Sequence, residues 1–320
     1  MINKVSKFVN NNIRNILLSQ EKTILDAIYE VRIRVNYPVY IKTKKGDFFL
    51  DIKEKSKIIV DGFYKLKKID ISSTVALLTS NSLHAFEKEI EKGYITIEGG
   101  HRVGLSGDCI YEKNEFRGFK SITSVNIRIA KDYVNCSNKI FKYIIKDSNS
   151  IYNTLIAGPP LCGKTTCIRD LARTISNGSS NPYFGGCDVT VIDERGEIAA
   201  VYNGIPQVDI GCRTDVLSYC MKKEGFIMSI RALSPRVIIS DELGSTEDYK
   251  IIQYALKSGV NIITTAHCND LSDLYKNLYI KKIIEVGFIE RIIILDNKNP
   301  VTIKQVYDNI TNKVISYGNY

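Results

Sequence analysis

Gly158-Pro159-Pro160-Leu161-Cys162-Gly163-Lys164-Thr165-Thr166 constrains this chain more than any other stretch. It fits the spacing G-x-x-x-x-G-K-[ST], and its flanks give that spacing meaning. Upstream, residues 151–157 form a short apolar, β-leaning run that ends at the first glycine. Downstream, Ile168, Leu171, Ala172 and Ile175 recur at helical spacing. Strand, glycine loop and helix together predict a loop that wraps phosphate. The glycines let the backbone turn its N–H groups inward, and the helix N-terminus adds partial positive charge. Lys164 then reaches the β- and γ-phosphates of ATP, Thr165 ligates Mg2+, and Thr166 bonds the α-phosphate.

From residue 151 onward strands alternate with helical stretches, which predicts a parallel α/β sheet. Val189-Thr190-Val191-Ile192 reads as a strand delivering Asp193-Glu194-Arg195-Gly196-Glu197 at its end. Val237-Ile238-Ile239-Ser240 is a buried, β-branched strand ending in Asp241-Glu242, a Walker B pattern in which Asp241 holds the Mg2+ shell and Glu242 polarises water. Ile262-Ile263-Thr264-Thr265-Ala266-His267 is a further strand ending in a hydroxyl and an imidazole. Ligands of such sheets bind at the carboxyl ends of strands, so Lys164, Glu194, Glu242 and His267 are expected to converge. A structural alternative stands beside each: the acidic residues around 193–197 pair with Arg195 or lysines, and a lone strand-end histidine is often architectural. Beyond them, residues 271–286 read as a helix, and two strands over 289–295 and 301–306 as a hairpin at the sheet edge.

Residues 1–135 read as a smaller α+β domain ahead of an ATPase domain over 136–320. A helix is expected over 5–18, and Glu30-Val31-Arg32-Ile33-Arg34 alternates as a half-buried strand. Hairpins follow at Asn36-Tyr37-Pro38 and Lys45-Gly46-Asp47. Ser72 or Ser73 caps a helix, and another runs over 82–92. Strands are expected over 94–97, 103–111 and 121–130. Arg102, Arg117 and Arg128 lie on or beside strands next to glycines, as surface arginines or as reach toward a neighbour's phosphate. His84 and His101 read as structural, since no second ligand stands at metal-ligand spacing.

Composition narrows the setting. The net charge is +9, and residues 1–150 carry 26 Lys+Arg against 17 Asp+Glu, so the whole surplus lies in that half. A basic half suits an acidic partner, an anionic surface or nucleic acid. Nucleic acid is the weaker choice, because no basic strand is studded with base-stacking aromatics. The eight cysteines contain no C-x-x-C pair, which speaks for reduced thiols. No apolar run is long enough to cross a bilayer and residues 1–7 open no signal peptide, so a cytoplasmic protein is expected, held at a membrane through a partner.

The loop at 158–166, Val191-Ile192-Asp193-Glu194-Arg195-Gly196-Glu197-Ile198, Gly211-Cys212-Arg213-Thr214-Asp215-Val216-Leu217 and Arg231-Ala232-Leu233-Ser234-Pro235 through Glu242 together resemble the stage III sporulation protein AA family. Glu30-Val31-Arg32-Ile33-Arg34 and Gly99-Gly100-His101-Arg102-Val103-Gly104-Leu105 extend that resemblance over most of the chain. The family is similar in turn to the type II and type IV secretion ATPases. The resemblance implies a RecA-like P-loop sheet with a smaller N-terminal α+β domain, and a Mg-dependent, homo-hexameric ATPase. It further implies a mother-cell protein beneath a forespore channel, partnered by a membrane-anchored protein. In the site, Glu194 or Glu197 would support the metal shell, His267 would report the γ-phosphate, and Arg213 or Arg231 of a neighbouring subunit would complete the charge.

Overall fold

The computed structural model describes residues 5–82, 86–91, 93–297 and 301–317. The chain packs as two compact units. One runs to Lys131 and includes Ala200–Gln207; the other comprises Asp132–Ala199 and Val208 onward.

In the first unit β1 (Ile28–Arg34), β2 (Val39–Thr43), β3 (Gly46–Leu50), β4 (Lys55–Ser56), β5 (Tyr94–Ile97), β6 (His101–Glu112) and β7 (Glu115–Arg128) form an antiparallel sheet in the order β4-β3-β2-β1-β7-β6-β5. Alternation along β1 buries Val31 and Ile33. They join one apolar cluster with Ile13, Ile16 and Leu17 of the helix Asn11–Leu18 and Ile71, Val75 and Leu78 of the helix Lys68–Leu78. The single helix expected over 5–18 is a 3-10 turn, Ser6–Phe8, followed by the helix Asn11–Leu18, because Asn10 Oδ1 accepts the Asn12 N–H at 2.8 Å and starts a new helix. The helix Lys68–Leu78 starts earlier than expected. Asp70 Oδ2 accepts the Lys67 N–H at 2.7 Å, and the expected caps Ser72 and Ser73 both lie inside the helix, the Ser72 hydroxyl on the Ile69 carbonyl at 3.2 Å. A strand expected from 121 begins at Glu115, since Lys113 and Asn114 adopt φ of 50° and 66° and close a two-residue hairpin turn. Of the helix expected over 82–92, Glu87–Glu91 is present, while Leu83, His84 and Lys92 lie outside the described residues.

The noted arginines of this unit find partners within it. Arg128 Nε stands 3.6 Å from Glu30 Oε2, Arg117 Nη2 stands 2.7 Å from Glu115 Oε2, and Arg102 lies over the Tyr94 ring at 4.5 Å. His101 is buried and its Nδ1 accepts the Ala130 N–H at 3.0 Å, a structural role. No composition shift sets residues 200–207 apart in the sequence, yet they count with this unit: the Gly99 N–H donates to Gln207 Oε1 at 2.7 Å.

The second unit contains β8 (Thr154–Gly158), β9 (Ser179–Ser180), β10 (Tyr183–Phe184), β11 (Val189–Asp193), β12 (Thr214–Ser218), β13 (Val237–Ser240), β14 (Asn261–His267), β15 (Arg291–Asp296), β16 (Thr302–Asp308) and β17 (Lys313–Tyr317). Apart from the small β9-β10 hairpin they form one sheet, in the order β12-β11-β13-β14-β8-β15-β16-β17. Its strands from β12 to β15 are parallel; the hairpin expected over 289–295 and 301–306 is β15 and β16, of which β15 continues the parallel sheet beside β8, and β17 adds a further antiparallel edge strand that the sequence did not announce. Alternate strand residues serve two cores. Ile156, Val191, Ile239 and Ile263 meet Ile168, Leu171 and Ile175 of the helix Lys164–Asn177. Leu155, Ile192, Ile238 and Ile262 meet Ile251, Ile252, Ile280 and Ile284 on the other face. Burial on both faces is why these strands are unbroken apolar runs in the sequence. The single helix expected over 271–286 is two, Leu271–Leu274 and Leu278–Glu285, because Asn277 Oδ1 accepts the N–H groups of Tyr279 and Ile280 and starts a new helix. The fold is α/β as expected, and its strand order sets the site: β14 lies between β8 and β13.

Candidate active site at the strand ends

The glycine loop leaves β8 at Gly158 and enters the helix Lys164–Asn177. Two glycines are required there. Gly163 takes φ 94°, and a Cβ on Gly158 would stand 2.7 Å from Cys162 Sγ and 3.0 Å from the Leu295 carbonyl oxygen. Between them Pro159 and Pro160 form the near side, and Leu161, at φ 66°, is the exposed tip. Cys162 is buried, and burial pushes its thiol pKa up against the opposing charge of Lys164, so it packs as a neutral group. Thr166 follows in the first turn.

Lys164 is buried and folds back on its own loop. Its Nζ donates to the carbonyls of Gly158 at 2.9 Å and Pro159 at 3.0 Å, and lies 3.2 Å from His267 Nδ1. His267 ends β14, directly in register with Gly158. Its other nitrogen, Nε2, stands 3.7 Å from Glu242 Oε1, and Glu242 Oε2 stands 3.0 Å from Arg195 Nη1. A continuous path of charged and polar side chains therefore links Lys164, His267, Glu242 and Arg195.

Asp241 lies beneath this path. Its Oδ2 accepts the Thr165 hydroxyl at 3.2 Å, and its Oδ1 accepts the Thr265 hydroxyl and the Glu242 N–H, the latter at 3.0 Å. The Glu242 N–H is also 2.9 Å from Thr265 Oγ1. A hydroxyl and a carboxylate oxygen facing each other beside the lysine form the hard-oxygen donor pair that Mg2+ prefers.

A cavity of about 530 Å³ opens from these groups, lined by Glu194, Arg195, Asp241, Glu242 and His267 among others. Four of the expected residues are thus brought together with Lys164 and Thr165. Glu194 is exposed at the end of β11 and lines the cavity. Glu197 is held differently: its N–H donates to Asp193 Oδ1 at 2.7 Å and its carbonyl accepts from Arg169 Nη2 at 2.6 Å. Arg213 sits at the amino end of β12, opposite the strand ends, with its guanidinium on the Ser176 carbonyl. Arg231 is exposed on the turn Ser229–Leu233, beside a groove floored by Phe226 and Tyr254. Neither lines the cavity that holds Glu242.

The sequence expects Arg195 to pair with the acids beside it, whereas it pairs with Glu242, and it does not announce the contacts of Thr265, Lys222 and Asp248. Arg195 and Thr265 stand inside motifs and were legible as neighbours of functional groups. Lys222, whose Nζ donates to the Glu242 carbonyl, has no local signal at all.

The family model described as "Sporulation stage III, protein AA" matches residues 2–314. Stage III sporulation protein AA of Bacillus subtilis (strain 168) is 38% identical over 310 residues, covering 96% of this chain and 95% of that protein. Among solved structures, the ATPase DotB of Legionella pneumophila aligns with a TM-score of 0.55 at 15% identity, over 88% of this chain and 74% of that one. The pilus retraction motor PilT, solved with bound ADP, aligns with a TM-score of 0.55 at 14% identity, over 85% and 76%. At such identities the structural likeness speaks for the fold alone, one shared with the ATPase DotB and the motor PilT. The sequence match speaks for kinship over nearly the whole length: the chain belongs to the stage III sporulation protein AA family.

Proposed function

We propose that this protein is a Mg-dependent ATPase that hydrolyses ATP to ADP and phosphate. It works as a homo-hexameric motor, cytoplasmic and peripheral to a membrane, on a channel between mother cell and forespore through a membrane-anchored partner. The observation that carries the hydrolase reading is the placement of His267 between Lys164 and Glu242, at 3.2 and 3.7 Å. Phosphoryl transfer asks for positioning and neutralised charge more than covalent chemistry, and these groups supply both. Residues 158–166 hold the phosphates, Lys164 exchanging its two loop carbonyls for phosphate oxygens. Thr165 and Asp241 hold Mg2+, which when bound neutralises charge on the β- and γ-phosphates. Glu242 takes a proton from the attacking water, His267 senses the γ-phosphate beside it, and Glu194 or Glu197 supports the metal shell. Arg213 or Arg231 enters from a neighbouring subunit. Family membership supports the sporulation setting, and the likeness to secretion ATPases supports the ring.

The test is phosphate release from ATP by the wild-type protein and by Lys164→Ala. A wild-type rate that depends on Mg2+ and falls to background in the variant is expected. Equal rates in the two proteins would defeat the reading.

A further inference from the structure

Glu242 has φ of 45°, a left-handed backbone that a residue with a Cβ keeps only when its surroundings hold it. Both sides of the residue are held. Its N–H is fixed by Thr265 and Asp241, and the next N–H, of Leu243, donates to the Thr265 carbonyl at 2.7 Å. Its carbonyl accepts from Lys222 Nζ, which is itself 3.0 Å from Asp248 Oδ1. Lys222 and Asp248 keep only 13% and 6% of their side-chain surface exposed, so the pair is largely withdrawn from bulk solvent.

Asp248 divides its two oxygens between two tasks. Oδ2 accepts the N–H groups of Gly244 and Ser245, at 2.9 and 2.8 Å, and the Ser245 hydroxyl at 2.8 Å, which caps the helix Thr246–Lys257. Oδ1 is left for Lys222. Burial raises the Asp248 pKa, but the Lys222 charge and these N–H groups outweigh it and hold the carboxyl below its ordinary range, so the pair is ionic.

We infer that Lys222 is the positioning residue of the site: anchored by Asp248, it clamps the Glu242 carbonyl and so aims the carboxylate at the water that attacks the γ-phosphate. Lys222 lines the same cavity, but among the described residues its hydrogen bonds go to the Glu242 carbonyl and to Asp248, and none goes to the loop at 158–166, to Thr165 or to Asp241. Without the ammonium the carbonyl loses its partner, the left-handed turn relaxes, and the carboxylate leaves its place between His267 and Arg195. This deepens the hydrolase reading and rests on it for its kinetic arm.

The experiment compares Lys222→Met, Lys222→Arg, Glu242→Gln and the Lys222→Met/Glu242→Gln double variant in the full chain. Lys222→Met should lower kcat by about ten- to a hundredfold, the usual effect of displacing a reacting group by an ångström. KM for ATP and affinity for a fluorescent ADP analogue should stay unchanged, Lys222→Arg should recover much of the rate, and the double variant should be no slower than Glu242→Gln. A normal kcat in Lys222→Met, equal losses of rate and nucleotide affinity, or a double variant slower by the product of the single effects would overturn the proposal. Amide exchange over residues 241–245 without nucleotide, read beside a thermal melt, tests the clamp independently of turnover. Exchange should quicken in Lys222→Met while the rest of the second unit stays protected. Unchanged exchange would overturn the clamp even in a chain that hydrolyses nothing, and quickened exchange in such a chain would uphold the clamp while defeating the ATPase reading.

Discussion

His267 Nδ1 lies 3.2 Å from Lys164 Nζ because β14 and β8 pair in parallel with His267 opposite Gly158. The imidazole and the loop lysine are therefore neighbours by strand register. A γ-phosphate that draws Lys164 off its carbonyls changes what His267 faces, and Glu242 is the next group along.

His267→Ala should accordingly separate chemistry from binding. The loop, Lys164 and the Thr165–Asp241 pair are left intact, so affinity for ADP should hold, while kcat falls by about a hundredfold, as for loss of one preorganised polar group. Steady-state hydrolysis and titration with a fluorescent ADP analogue check this. If the variant loses nucleotide affinity as fully as Lys164→Ala, His267 belongs to the binding loop and has no sensing role.

Arg169 gives a prediction about stability. From the helix after the loop, its Nε donates to the Ile198 carbonyl and its Nη2 to the Glu197 carbonyl, both at 2.6 Å, and burial lowers its pKa. On the other side of the same turn, Asp193 accepts the N–H groups of Glu197, Ile198 and Ala199. Arg169→Leu removes the guanidinium and strands two partly buried carbonyls, a loss of about 2–4 kcal/mol in unfolding free energy. Urea denaturation measures it. A midpoint equal to wild type would mean that water replaces the guanidinium and that the turn is self-supporting.

Acid should destabilise the second unit through two carboxylates. Burial raises the pKa of Asp170, but hydrogen bonds from the Ser137 hydroxyl and N–H, from Arg173 and from the Asn135 N–H lower it overall; Asp248 is lowered against its burial in the same way. For a carboxyl whose folded pKa lies below its unfolded value, the stabilisation is fully present above the unfolded value, near 4. It is lost as pH falls through the folded value. Stability measured by urea unfolding should therefore be flat between pH 5 and pH 7 on account of these groups (about one unit and more above the unfolded value) and drop below pH 4. Asp170→Asn should be less stable at neutral pH and show a shallower acid slope. A variant with the wild-type slope would remove Asp170 from the account.

What was legible in the sequence was local. Gly158, Gly163, Lys164 and Thr165 are read from one nine-residue spacing, and β13 and β14 announce themselves by β-branched runs that end in Asp241-Glu242 and His267. Burial on both faces makes such runs, so the parallel sheet and the convergence of its strand ends follow from composition along the chain. What was hidden is long-range or competitive. Lys222 reaches a carbonyl twenty positions away, at a place where no periodicity marks it. Asp70 outcompetes Ser72 for a helix start through one hydrogen bond, and Asn277 splits a helix whose apolar spacing runs on unbroken. Residues 200–207 leave the strands around them for the first unit with no change of composition. Side chains that choose among backbone partners are settled by tertiary geometry, and one-dimensional pattern does not encode it.

The arginine that completes the site is the step on which the ring depends. Arg195 is the arginine beside Glu242 in the same chain, but that ion pair is exposed on both sides, at 64% and 39%, and an exposed pair contributes little by itself. Arg213 and Arg231 are exposed and stand off the cavity, which suits delivery to a neighbour. A trans arginine contributes about 10³–10⁵ in rate, so specific activity should climb with protein concentration as subunits associate, and a verified monomer should turn over slowly. Subunit mixing identifies the residue. Glu242→Gln lacks the base but carries every arginine, whereas Arg231→Ala or Arg213→Ala keeps the base and lacks the donor. Glu242→Gln and the variant of the donating arginine should each be nearly inactive alone, and that arginine variant should regain activity when mixed with Glu242→Gln, because one mixed interface then holds both groups. Arg195→Ala should gain nothing from the same mixture, since its arginine and its base are lost or kept within one chain. Recovery with Arg195→Ala alone would overturn the assignment of Arg195 as the arginine in cis, and a fast monomer would end the ring.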